Sequence, residues 1–117
     1  MKENRKENPK LLSVDDDPAL LRQLKWGLDE DFDVLTANTT AEAMALLRSE
    51  RPQIVTLDLA LTDGGRADEG FDLLDEMLAV DPSLKVILIT GNDTRENALK
   101  AVDRGAVDFF SKPIERD

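Results

Sequence analysis

A chain of 117 residues with 41% apolar content has material for one buried core and no second one. Its 25 acidic and 15 basic side chains leave a formal net charge of -10, which repels a phosphate backbone and argues against direct nucleic-acid binding. With no Cys and no His, disulfides, thiolate or imidazole metal sites, Ser-His triads and His-based phosphocarriers are excluded; carboxylates, Lys, Ser and Thr remain, a set suited to hard cations and phosphoryl groups.

Residues 1–9 are charged and polar with no apolar run, so they read as a disordered lead-in rather than a signal peptide. No stretch of the chain is suited to a membrane, and the absence of Cys is consistent with a cytoplasmic setting. Leu11-Leu12-Ser13-Val14 is an apolar run too short for a helix and ends in three Asp, which predicts a buried strand. Pro18 suits a first helical turn, and Leu20, Leu21, Leu24 and Leu28 then share one face, with Trp26 opposite. Phe32 to Ala37 predicts a second strand. Thr39-Thr40-Ala41-Glu42 has capping-box spacing ahead of a helix that Pro52 ends. Ile54 to Asp58 is a third apolar run finishing on an acid. A Gly- and Asp-rich loop extends to Glu69, followed by Phe71, Leu74, Met77 and Leu78 at helical spacing. Val86 to Thr90 predicts a fourth strand, Asp93 to Arg104 a fourth helix closed by Gly105, and Val107 to Phe110 a fifth strand leading into Ser111-Lys112-Pro113.

Strands that are continuous apolar runs and alternate with helices predict an α/β domain with a parallel sheet covered on both faces. Ligands of such sheets bind beyond the carboxyl ends of the strands, where Asp15, Asp16, Asp58, Thr90 and Lys112 fall. Adjacent carboxylates resist ionising together unless a cation joins them. Magnesium fits, because it takes oxygen ligands and is held by one or two carboxylates plus phosphate oxygens. Asp16 and Asp58 suit direct ligation, Asp15 ligation through water, and the backbone carbonyl of Ala60 a further ligand position. Asp58 is then placed to act as a carboxylate nucleophile toward a phosphoryl group, with Lys112 offsetting charge and Thr90 hydrogen-bonding the group once transferred. Asp17, just before Pro18, reads as a helix cap rather than a ligand, and Asp63, Asp68 and Glu69 as a solvated acidic loop.

Val14-Asp15-Asp16-Asp17-Pro18, Thr56-Leu57-Asp58-Leu59, Ile89-Thr90-Gly91 and Asp108-Phe109-Phe110-Ser111-Lys112-Pro113, in this order, resemble response-regulator receiver domains over residues 10 to 115. The resemblance implies a CheY-like, flavodoxin-like sheet of order 2-1-3-4-5 and dependence on Mg²⁺, with Mn²⁺ as a substitute. It also implies a sensor histidine kinase as phosphoryl donor, a signalling role rather than that of a dedicated enzyme, and homodimerisation on phosphorylation as an option. It assigns Phe109 to the aromatic switch that accompanies Thr90, against the alternative of a simple core residue, and makes Lys112-Pro113 a cis-peptide candidate. The Leu24-Lys25-Trp26-Gly27-Leu28 stretch and the strand Asp31-Phe32-Asp33-Val34-Leu35-Thr36-Ala37 resemble the NtrC branch, exosortase-associated regulators included.

Two departures accompany the resemblance. Thr62 stands where the family has Pro, and Gly70 lies about four residues late, which lengthens the loop after Asp58. Receivers also close with a fifth helix after the Lys-Pro pair, whereas the sequence stops at Asp117; residues 10–117 are therefore expected to form a receiver truncated before that helix, its open face met by rearranged packing or a partner. Control of an output domain in the same full-length chain, through transcription, is the expected function; a stand-alone interaction module is the alternative. An aspartyl phosphatase is disfavoured, because Leu59 and Ala60 follow Asp58 and leave no acid two residues on.

Overall fold

Apolar runs of four to six residues, bounded by polar or turn residues, give strands, and the amphipathic stretches between them give helices. The computed structural model describes residues 8–58, 68–90 and 95–111. In chain order these form β1 (Lys10–Val14), α1 (Pro18–Leu28), β2 (Asp33–Ala37), α2 (Thr40–Glu50), β3 (Ile54–Leu57), α3 (Asp68–Val80), β4 (Lys85–Thr90), α4 (Arg95–Asp103) and β5 (Asp108–Ser111). All strand pairings are parallel, in the order β2-β1-β3-β4-β5. The α/β expectation and the strand order implied by the resemblance are both met.

The boundaries follow local chemistry. Asp17 caps α1, its carboxylate accepting from the amides of Ala19 and Leu20, and Pro18 fills the first turn without losing a needed donor. Thr39 caps α2 by accepting from the Glu42 amide at 3.1 Å. The reciprocal bond differs from the expected capping box: the Glu42 carboxylate accepts from Asn38 rather than from Thr39 itself. The helix stops at Arg51, which adopts a left-handed conformation (φ 54°) directly before Pro52. Gly105, at φ 109°, ends the turn after α4, and a Cβ there would lie 2.8 Å from Leu78 Cδ1.

Small shifts separate expectation from structure. Phe32 belongs to the turn after α1, its amide donating to the Leu28 carbonyl at 2.9 Å, so β2 begins at Asp33. β4 begins one residue earlier than expected, at Lys85, and β5 runs one residue later, from Asp108 to Ser111, although the Val107 amide already donates to Val86 at 2.8 Å. The third helix starts at Asp68, so Asp68 and Glu69 belong to its first turn rather than to a loop. The expected start of the fourth helix at Asp93 lies outside the described residues.

Strand alternation sends Leu12, Val14, Val55, Leu57, Val86 and Leu88 to one face. There they join Ala43, Met44 and Leu47 of α2, Phe71, Leu74 and Met77 of α3, and Ala101 of α4 in one core. Register partners Leu11 and Val34 face the other side, where α1 packs on β1 and β2 and buries Leu21. Leu20, Leu24 and Leu28 are only partly covered, and Trp26 is 86% exposed on the opposite face of α1, as the spacing predicts.

Candidate functional site

The chain reverses its direction of strand addition at β1: β2 lies on one side and β3 on the other, which makes the gap beyond the ends of β1 and β3 the switch point of the sheet. Val14 and Leu57 are register partners, so the residues that follow them, Asp15 and Asp58, emerge together. Both are held by backbone bonds: the Asp58 amide donates to Val14 at 3.0 Å and the Asp15 amide to Ala37 at 3.1 Å. Asp15 is 4% and Asp58 5% exposed, whereas Asp16 is open to solvent. One carboxylate oxygen from each of the three lies within 4.8 Å of the others. Asp15 also accepts from the Asp17 amide at 3.0 Å, folding the chain into α1. Asp17 itself is occupied by its cap, in agreement with its exclusion from the site.

Two unit charges at that separation repel by about 3 kcal/mol at an effective dielectric of about 20. A divalent cation among the three oxygens turns that repulsion into attraction. The donor set is all oxygen, with two carboxylates sheltered and one reachable from water, and it suits a hard cation that keeps part of its hydration shell. A cleft of about 260 Å³ opens between α1 and the end of β2, with Arg22, Lys25 and Asn38 among its lining residues; none of the three acids lines it.

The other expected site residues are spread over the same edge or fall outside the description. Thr90 is the last residue of β4, beside β3, and pairs in register with Ser111. Phe109 pairs with Leu88 and packs, half-buried, against the core. Its neighbour Phe110 points the other way and is exposed, as an edge residue should be. Ala60, Lys112 and Pro113 lie outside the described residues, as do residues 61–67, where a lengthened loop is expected. Ser13 and Thr56, which the sequence places inside apolar runs, are both buried and joined by a 2.9 Å hydrogen bond. Their shared offset, each two residues before a site acid, was the available signal.

A five-stranded parallel sheet of this order with an acidic trio at its switch point defines a CheY-like domain of the flavodoxin-like fold. The response regulator receiver domain model matches residues 11–117, and the chain belongs to that family. It is 35% identical over 109 residues to the alginate biosynthesis transcriptional regulatory protein AlgB of Pseudomonas putida, an NtrC-like regulator; the match covers 92% of this chain and 23% of AlgB. The chain thus spans less than a quarter of that relative. Among solved structures it resembles a CheY-like receiver domain protein from Methanospirillum hungatei (TM-score 0.82, 30% identity, 92% of this chain and 84% of that one). It also resembles a response regulator from Burkholderia pseudomallei solved with a phosphorylated aspartic acid, a calcium ion and citrate (TM-score 0.82, 26% identity, 92% of this chain and 62% of that one). Among the described residues no helix is long and apolar enough to cross a membrane.

Proposed function

We propose that this receiver takes a phosphoryl group on Asp58 from a sensor histidine kinase, with Mg²⁺ as cofactor and Mn²⁺ as a substitute. The observation that carries the reading is the convergence of Asp15, Asp16 and Asp58 within 4.8 Å at the switch point. Asp16 and Asp58 would hold the ion directly, Asp15 through water, and the Ala60 carbonyl would complete the protein's share. When bound, the ion supplies neutralisation of charge on the phosphoryl oxygens.

A carboxylate oxygen of Asp58 attacks phosphorus as the bond from phosphorus to the donor breaks, and the donor leaves with that bond's electron pair; the product is an acyl phosphate. The sheltered position of Asp58 limits access by water. Lys112 offsets charge on the transferring group, and the Thr90 hydroxyl then bonds the new phosphoryl oxygens. Because that contact exists only after transfer, it biases the domain toward a second conformation, with Phe109 turning inward. The Burkholderia relative, with its phosphorylated aspartic acid and calcium ion, supports the same chemistry here. The small share of AlgB that aligns supports an output domain in a longer chain, acting on transcription in the cytoplasm.

The test is incubation with Mg²⁺ and acetyl phosphate, followed by intact mass measurement. Wild type should gain one phosphoryl group and Asp58→Asn none. Equal gain by both, or gain by neither, rejects the acceptor.

A further inference from the structure

Strands buried in a parallel sheet are ordinarily apolar throughout, since a buried hydroxyl is costly unless it finds a partner. Among the buried positions of β1 and β3 that pattern is broken at one level, where Ser13 is fully buried and Thr56 is 7% exposed. The two are direct register partners, 43 residues apart in sequence, and the Thr56 hydroxyl donates to Ser13 Oγ at 2.9 Å. Each lies two residues before a site acid, Asp15 or Asp58, so the strand period carries hydroxyl and carboxylate to the same side of its strand. The pair is therefore the cross-strand contact immediately beneath the carboxylates.

We propose that Ser13 and Thr56 are positioning residues for the cation site, an inference that rests on reading the acidic trio as that site. Like charges at the ends of β1 and β3 push the two strands apart, and the backbone ladder yields at its ends before its middle. A directional bond between the side chains one step below resists both separation and sliding. It holds the carboxylate oxygens at ligand spacing before the ion arrives. Two apolar side chains of similar volume would fill the space without fixing the offset.

The experiment compares Ser13→Ala, Thr56→Val, the double variant and Thr56→Ser, measuring Mg²⁺ affinity by calorimetry and stability by urea unfolding. Each single removal leaves a buried hydroxyl without its mate and should lower both quantities. The double variant has no stranded hydroxyl, so its stability should return toward wild type while its Mg²⁺ affinity stays about tenfold weak, the lower end of what outer-shell substitutions cost. Thr56→Ser should do the reverse, keeping affinity while losing stability with its methyl group. If the double variant recovers both properties, or if affinity follows stability across all four, the pair is only structural and the proposal fails. If wild type binds no Mg²⁺, or Asp58→Asn binds it equally well, the cation-site reading is wrong and the positioning role falls with it.

Discussion

Asp58 and Asp15 show how far single residues could be read. Their position at the ends of apolar runs was visible in the sequence, because a strand that stops on an acid has few other reasons to do so. Their mutual distance was not, since 43 residues separate them and only the register of β1 on β3 closes that gap. Asp17 could be separated from its acidic neighbours because a residue before Pro at a helix start has a competing use, and its carboxylate is indeed spent on the amides of Ala19 and Leu20. Removing that cap by Asp17→Ala should cost about 1 kcal/mol in urea unfolding without altering Mg²⁺ affinity. Trp26, 86% exposed, makes the opposite case: Trp26→Ala should shift stability by no more than about 0.5 kcal/mol.

At the level of elements, strand existence was legible and strand ends were less so. β5 sits one residue later than its apolar run because pairing with β4, not hydropathy, sets its span. The start of α3 was hidden in a Gly- and Asp-rich stretch that carries no period. The turn after α4 was clear from Gly105, and its φ of 109° together with the nearby Leu78 Cδ1 predicts that Gly105→Ala destabilises the domain by about 1 kcal/mol or more. Lys10 ties the start of β1 to the end of α2 through Glu50 at 2.8 Å. That hydrogen bond raises the lysine pKa above its ordinary value of 10.5. The contribution is therefore fully present below the unfolded-state pKa and lost as pH rises through the folded one. The stability gap between wild type and Lys10→Met should stay constant through neutral pH and close in strong alkali.

For the molecule as a whole, fold and site are coupled because no single segment holds the acidic trio. An unfolded chain cannot present three carboxylates at ligand spacing, so Mg²⁺ held as proposed would bind the native state alone and stabilise it by mass action. At one hundred times its dissociation constant the ion should add about 2.7 kcal/mol, and EDTA should remove the gain. Asp58→Asn should show little of this dependence. The net charge of -10 adds a diffuse repulsion that salt screens, whereas the trio, as the proposed ion site, should respond to divalent ions specifically; equal ionic strengths of NaCl and MgCl₂ separate the two effects.

The Val14–Leu57 step, where the acids emerge, lies between the inner strands β1 and β3, where a sheet is normally most secure. On the proposed reading, three acids make that inner seam a sprung latch that a bound magnesium ion would keep shut. Without the ion the sheet should begin to part from the middle of its carboxyl edge rather than from its outer strands. Hydrogen exchange would display the inversion: the Asp58 amide, bonded to Val14, should exchange faster in EDTA, while the Leu12 amide on the same strand pair should scarcely change.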